Sequence, residues 1–225
     1  MKTASTARKN AAKNLQMVDS EEREGATINL PKIDKRTVNV MVKGVSPLIV
    51  HAWGEKAKRE MREKQQKLGK MAKTAKDPEA DFLSSKYLNT KGQDCVPAGA
   101  FRNAIVSAGR FSDGIPMTKI TGSIFFLDDL VVIEHDKCVM REDMVRVGGK
   151  GPGTGTADIR YRAEYQNWRA KLKIQFNANV ISLDQLLNLV QLAGFSVGIC
   201  EWRPEKKGQF GRFDISGSAT EVKDN

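Results

Sequence analysis

The sequence has few of the residues from which most catalytic and metal sites are built. Its 225 residues include three cysteines, Cys95, Cys138 and Cys200, and two histidines, His51 and His135. The cysteines lie far apart and form no CxxC pair, so their spacing predicts neither a disulfide framework nor a zinc site. Neither histidine has a nucleophile or a metal ligand at motif spacing. The sequence therefore predicts a binding protein without metal or cofactor, and not an enzyme.

Long apolar runs and nucleotide-binding motifs are also absent. No run reaches the length of a membrane span, and the first ten residues lack the apolar segment of a secretory signal. Neither GxxxxGK[ST] nor a GxGxxG after a strand occurs. Together with the unpaired cysteines, these absences predict a soluble cytoplasmic protein without a membrane partner.

What the sequence has in excess is positive charge. Lys and Arg number 37 against 27 Asp and Glu, for a formal net charge of +10. Such an excess favours polyanionic partners and speeds the encounter with them. The composition therefore indicates a nucleic-acid partner, although a basic charge that only maintains solubility remains the alternative interpretation.

Hydrophobic periodicity divides the chain into a tail and one α+β domain. Residues 1–26 contain little to bury and predict a flexible basic tail, so the domain is expected over 27–220. Alternating or apolar runs predict strands at 36–43, 121–133, 168–176 and 210–215.

Two helices separate these strands. One begins at Pro97 and places Phe101, Ile105 and Ala108 on a single face. The other begins at Ser182, where Gln185 completes a capping box. The resulting order of strand, helix, two strands, helix and strand is typical of a ferredoxin-like fold, the split βαβ arrangement.

Two long insertions, at about 46–96 and 135–167, interrupt this pattern. The first contains a strongly basic helical stretch over 55–76, which predicts a surface helix. The second has strand-like runs on both sides of a glycine-rich tip, which predicts a projecting hairpin. There Arg160 and Arg162 could pair with phosphates while Tyr161 stacks on a base. An exposed hairpin or a subunit-docking arm is the alternative.

The segment before the last strand combines glycines with cations. Gly208 and Gly211 permit close approach of the backbone, and Lys206, Lys207 and Arg212 supply positive charge. This combination predicts phosphate binding. A simple glycine turn with solvated lysines is the alternative.

Three segments resemble the repeat-associated mysterious proteins, in the same order along the chain. These segments are SPLIVHAW, VPAGAFRNAIVSAGR and LVQLAGFSVGICEWRPEKKGQFGRFDI. Members of that superfamily have ferredoxin-like folds, and the CRISPR effector backbone subunits among them line up along a guide RNA. The resemblance implies that Arg102, Lys206, Lys207 and Arg212 approach the phosphate backbone. The sequence resembles phage-encoded proteins more closely than any backbone subunit. The resemblance therefore leaves two roles open in the host cytoplasm: replication or recombination on single-stranded DNA, or a place in an RNA-guided complex.

The sequence thus predicts a sequence-independent single-stranded nucleic-acid-binding protein, acting as a homo-oligomer, with RNA and DNA both open. A phage assembly protein that multimerises through its insertions is the second hypothesis, and an endoribonuclease with His51 as general base is the third. The predicted contacts to nucleic acid are Arg102, Arg110, Arg141, Arg146, Lys150, Arg160, Tyr161, Arg162, Arg203, Lys206, Lys207, Phe210 and Arg212.

Overall fold

The computed structural model describes residues 32–66, 75–112, 114–149, 155–217 and 219–222. The predicted tail at 1–26 and the predicted contact Lys150 lie outside these residues. The helices are α1 (Glu55–Gln65), α2 (Pro78–Ser84), α3 (Ala98–Ala108), α4 (Met117–Ser123) and α5 (Leu183–Leu192). None of the described helices is long and apolar enough to cross a membrane.

Eleven strands are described, and they form two sheets. They are β1 (Lys35–Gly44), β2 (Leu48–Val50), β3 (Tyr87–Leu88), β4 (Asp94–Pro97), β5 (Ile124–Phe126), β6 (Leu130–Glu134), β7 (Lys137–Val147), β8 (Thr156–Gln166), β9 (Arg169–Asn177), β10 (Phe213–Ile215) and β11 (Thr220–Val222).

The larger sheet, called the core sheet below, confirms the predicted fold class. Its order is β10-β1-β9-β6-β4-β3, with β11 paired to β1 and β5 paired to β9. The first four strands of this order are antiparallel neighbours. They are the fourth, first, third and second strands of the predicted pattern, which is the split βαβ arrangement of a ferredoxin-like fold.

The hydrophobic core lies between one face of the core sheet and the helices α3 and α5. Val38, Val40 and Val42 of β1 face this core because alternate residues of a strand point to the same side. Phe101, Ile105 and Ala108 are all buried, as predicted from the periodicity of α3. In α5 the buried residues are Leu186, Leu189 and Val190.

A local sequence signal, the capping box, determines where α5 begins. The Ser182 hydroxyl accepts a hydrogen bond from the Gln185 amide at 3.2 Å, and the Gln185 side chain accepts one from the Ser182 amide at 3.0 Å. Both bonds of the predicted capping box are therefore present. The helix continues past Leu192 into a π-helical turn, Ala193–Val197, and Gly198 ends it with φ 68°.

The second sheet has the order β2-β8-β7 and contains the predicted hairpin. Strands β7 and β8 pair along their whole length, from Lys137 opposite Gln166 to Val147 opposite Thr156. The short strand β2 pairs with the base of β8. This pairing connects the segment after β1 to the hairpin.

Three predicted elements differ in detail. Residues 121–123 were expected to be extended but form the end of α4. The last strand begins at Phe213 because Gly211 has φ 65° and the Phe210 amide donates to the Trp202 carbonyl, both incompatible with strand pairing at that point. The basic helix of the first insertion ends at Gln65, and 67–74 lie outside the described residues.

Candidate nucleic-acid interface

The segment from Gly198 to Arg212, called the closing loop, connects the π-helical turn to β10. Three of its non-glycine residues have left-handed backbone conformations: Cys200 with φ 61°, Trp202 with φ 52° and Lys207 with φ 63°. Such conformations cost on the order of 1–3 kcal/mol each and concentrate at functional sites, where the surrounding structure enforces them.

Backbone hydrogen bonds hold the loop residues in these left-handed conformations. Phe210 donates to the Trp202 carbonyl at 3.0 Å and Gly208 donates to the Arg203 carbonyl at 3.0 Å, which closes the loop on itself. Ile199 donates to the Gly211 carbonyl at 3.0 Å, which joins its two ends. Since these bonds need no ligand, the closing loop has a fixed shape before anything binds to it.

Two glycines make this shape possible. A Cβ atom at Gly208 would lie 1.7 Å from the Trp202 carbonyl oxygen, and one at Gly211 would lie 2.0 Å from the Ile199 carbonyl oxygen. These are the glycines that the sequence predicted for close backbone approach. The atoms that approach them belong to the loop itself, so their first role is to let the loop fold onto its own backbone.

A groove of about 240 Å³ lies between α3 and the closing loop. Asn103 and Ser107 of α3 line one side, Glu201 and Arg203 of the closing loop line the other, and His51 also lines it. The lining mixes polar and charged groups with small apolar ones. A groove of this kind can take a polar chain that passes along the helix.

Two predicted contacts share one carboxylate: Arg203, which lines this groove, and Arg110, which is close in sequence to the groove residue Ser107. Glu205 lies 2.8 Å from Arg203 and 3.1 Å from Arg110. Burial alone would raise the pKa of Glu205, but hydrogen bonding and charge from Arg203, together with Arg110, hold that pKa below its ordinary value. Glu205 is therefore charged at neutral pH, and it offsets one of the two positive charges of these arginines.

The exposed positive charge of the closing loop comes from Lys206 and Lys207. Both side chains are exposed, and neither has an ion-pair partner in the described part of the chain. Lys207 occupies the left-handed position after a short 3₁₀ turn, which projects its side chain from the tip of the loop.

An exposed aromatic residue accompanies these lysines, and sequence reasoning missed it. Trp202 is 42% exposed, although a tryptophan in a packed core would be almost fully covered. An exposed indole can stack on a nucleobase. The available signal was a tryptophan inside a loop that also contains glycines, a proline and cations, a composition typical of exposed loops.

Arg212 is the last residue of the closing loop. Its guanidinium carbon is 5.2 Å from the centre of the Phe195 ring, a cation–π distance, and its amide donates to the Ser46 hydroxyl at 3.0 Å. Its Nε atom is buried without a hydrogen-bond partner among the described residues. Because this atom is covered by the protein, a phosphate cannot reach it, and the contacts with Phe195 and Ser46 give Arg212 a structural role.

Arg102 was predicted to contact nucleic acid, but its side chain is bonded to other parts of the protein. Its guanidinium donates to the carbonyl oxygens of Ile124 at 3.1 Å and Thr121 at 2.6 Å. It also lies over the Phe125 ring. These contacts connect α3 to β5, so the structure gives Arg102 a positioning role at the end of α4.

The hairpin places its arginines differently from the prediction of an exposed phosphate clamp. Arg162 is 2% exposed and pairs with Asp143 at 3.3 Å and Glu201 at 3.6 Å. Arg141 pairs with Asp143 and Glu164 and lies over the Phe210 ring. This network joins the hairpin to the closing loop.

The other residues of the hairpin that were predicted to contact nucleic acid lie on two different faces of the second sheet. Arg160 is half-buried with its Nε 3.9 Å from Asp158, on the same face of β8 as Arg162. Tyr161 points to the opposite face, where it lies across from Glu142. The structure therefore does not bring Tyr161 together with the two arginines. Arg146 is exposed near the tip.

His51 is the one histidine that lines the groove. Burial lowers its pKa, and the positive charges of Arg162 and Arg160 lower it further. The imidazole is consequently neutral at physiological pH. No group of three or more metal-binding side chains occurs among the described residues.

Comparison with known structures shows the same fold in an RNA-associated assembly. One chain of the type III-B Cmr-beta structure, bound to cognate target RNA, gives a TM-score of 0.53 at 8% identity. The match covers 84% of this protein and 61% of that chain, so this protein spans about three fifths of its length. Cmr6 from Pyrococcus furiosus gives a TM-score of 0.46 at 10% identity, covering 82% of this protein and 100% of Cmr6.

Comparison of the sequence with protein-family models and curated proteins gave no significant match. At identities this low the structural match to Cmr-beta establishes the fold, in agreement with the strand order of the core sheet.

Proposed function

We propose that this protein binds the backbone of a single-stranded nucleic acid along the groove between α3 and the closing loop, as a subunit of an RNA-guided complex. The observation that carries the proposal is the closing loop: a shape fixed by its own hydrogen bonds holds two exposed lysines and an exposed tryptophan in the loop that forms one side of the groove. Lysines recognise phosphate as point charges, and tryptophan stacks on any base. The expected binding is therefore independent of sequence.

The fold supports this proposal in a second way. The similar Cmr-beta structure is bound to target RNA, which favours RNA over DNA as the ligand of this protein. The net charge of +10 acts in the same direction, because a polyanion is attracted over a longer range than a neutral ligand.

The first test separates charge from stacking. Replacing Lys206 and Lys207 with alanine should weaken binding of single-stranded RNA and reduce the slope of log affinity against log salt by about 1.4, since each lost phosphate contact removes about 0.7. Trp202→Ala should instead lower affinity by about 1–3 kcal/mol and leave the slope unchanged. Fluorescence anisotropy with labelled homopolymers over a salt series measures both quantities.

A matched control is the pair Lys91→Ala and Lys119→Ala, two exposed lysines away from the closing loop, with the same change of net charge. If this control pair and the loop pair change the slope equally, the effect is one of net charge and the site is wrong. Unchanged RNA binding in the loop variants together with loss of self-association would favour the assembly-protein hypothesis.

The second test concerns His51, which we propose acts without catalysis. His51→Gln should bind RNA as the parent does, and neither protein should cleave it. Cleavage by the parent that disappears in the variant would establish the ribonuclease alternative.

The lowered pKa of His51 also predicts how the stability of the protein changes with pH. In the unfolded chain the imidazole takes up a proton near pH 6.5, whereas the folded protein resists protonation until a lower pH. The parent should therefore lose stability as the pH falls through 6.5 and below, and His51→Gln should lose less. Urea unfolding at pH 7 and pH 5 compares the two proteins.

A further inference from the structure

The outer face of the core sheet, opposite the buried core, carries a concentrated positive charge. Lys43 of β1 and Arg169, Lys171 and Lys173 of β9 are all exposed on it, and we call these four residues the sheet strip. Arg169, Lys171 and Lys173 alternate with core residues along one strand, so their side chains repeat about every 6.6 Å. The sequence predicted β9 from this same alternation, but it assigned its polar face no function.

The arrangement costs stability. Lys43 lies directly opposite Arg169 in the register of β1 and β9, and like charges at directly opposed positions destabilise a sheet. Neither strand contains an aspartate or a glutamate. Lysines on an edge strand can prevent aggregation, but β1 and β9 are inner strands of the core sheet, so that explanation does not apply.

In the described part of the chain the four residues of the sheet strip form one ion pair. Lys43, Lys171 and Lys173 have no ion-pair partner in the described ranges of the chain. Arg169 lies 3.6 Å from Asp136, but both side chains are more than half exposed, and such a pair contributes little. The sheet strip is therefore available to an external anion.

Acidic residues on the neighbouring strands limit the width of the strip. Glu134 of β6 lies opposite Arg169, and Asp214 of β10 lies opposite Lys43. The positive face is thus two strands wide, about 5 Å between strand axes. A narrow row of cations fits the backbone of one extended strand better than the broad surface of a duplex.

The sheet strip begins where the closing loop ends. Gly44 follows Lys43, and the next amide, that of Val45, donates to the Arg212 carbonyl at 3.0 Å. A depression of about 470 Å³, lined in part by Met41, Lys43 and Arg169, occupies this end of the strip. At the far end of the same face Phe125 is 51% exposed, opposite Gln175.

We infer that the sheet strip is a second binding surface for single-stranded nucleic acid, which follows β9 from the closing loop toward Phe125. The inference rests on the proposed function, because the same strand would leave the groove, pass the end of β1 where the Val45 amide bonds the Arg212 carbonyl, and continue along the outer face of the sheet. Phosphates would lie along Arg169, Lys171 and Lys173, and Phe125 could stack on a base at the end of this path.

The test uses oligouridylates of two lengths with the full chain. Lys171→Glu with Lys173→Glu should weaken binding of an RNA of about 20 nucleotides by about tenfold at low salt, since two phosphate contacts become repulsive. An RNA of about 5 nucleotides, short enough to contact the closing loop without the strip, should bind this variant as it binds the parent. Lys171→Arg with Lys173→Arg retains the charge and should bind both lengths normally.

The outcomes distinguish this inference from the proposed function. If the Glu variant binds the long RNA as the parent does, while alanine at Lys206 and Lys207 weakens it, the sheet strip is not a nucleic-acid surface and the groove remains one. If the parent binds neither RNA, both proposals fail. If the Glu variant loses binding to polyglutamate but retains the long RNA, the strip binds an acidic protein and the inference is overturned. Circular dichroism verifies that the Glu variant is folded before binding is measured.

Discussion

Gly208→Ala is expected to abolish nucleic-acid binding through the groove and to lower the free energy of unfolding by about 3 kcal/mol or more. The added methyl group would lie 1.7 Å from the Trp202 carbonyl oxygen, and the backbone atoms on both sides are held by hydrogen bonds. The closing loop must therefore open to accept it. Opening displaces Trp202, Lys206 and Lys207 together. Urea unfolding and RNA anisotropy measure the two effects.

Gly122→Ala is the matched control, because Gly122 is exposed near the end of α4 and nothing lies within 4 Å of a Cβ atom there. That variant should bind normally and gain up to about 1 kcal/mol of stability, since alanine is favoured over glycine in a helix. Normal RNA binding by Gly208→Ala would show that the shape of the closing loop is irrelevant to the site.

Trp168→Ala should produce the largest loss of stability, about 3–5 kcal/mol. The ring is fully buried, lies against Phe101 and Phe213, and donates from its indole nitrogen to the Ser46 carbonyl at 2.9 Å. Its removal leaves a cavity between β9 and α3 and a carbonyl without its donor. Chemical denaturation monitored by circular dichroism measures the change.

Trp53→Ala provides the comparison for the same substitution on the surface. Trp53 is 59% exposed, so its truncation removes little buried area and should change stability by less than about 1 kcal/mol. Equal losses in the two variants would mean that Trp168 does not hold the core together.

The elements that the sequence predicted well are those determined by local patterns. Strict alternation defined β9, and the same regularity in β1 gave an inward row of valines. The capping box located the start of α5 because both of its hydrogen bonds join residues three apart. Since these elements and their order were visible, the ferredoxin-like fold was predictable.

Contacts between residues that are far apart in the sequence could not be predicted from local patterns. Arg162 alternates along β8 as an exposed residue would, but Asp143 and Glu201 come from a neighbouring strand and from the closing loop to bury it. Arg102 likewise binds carbonyl oxygens of a segment about twenty residues away. The local sequence does not distinguish an arginine that pairs with a distant part of the same fold from one that binds phosphate.

The predictions for Lys206 and Lys207 depended less on tertiary structure. Both belong to a short turn rich in glycine and charged residues, a composition typical of exposed loops, so their exposure followed from local sequence. The resemblance to phage-encoded proteins and self-association stay predictions. They concern the origin of the chain and its partners, which the fold of one chain does not determine.

The rigidity of the closing loop determines when its conformational entropy is lost. A loop that orders on its ligand loses this entropy during binding, and the affinity falls accordingly. In this protein the left-handed residues and the internal hydrogen bonds order the loop during folding, so the cost belongs to the stability of the fold. Glycines 208 and 211 set the shape, whereas the lysines at 206 and 207 set the charge. The charge of this loop can therefore change, in evolution or by design, without any change in its shape.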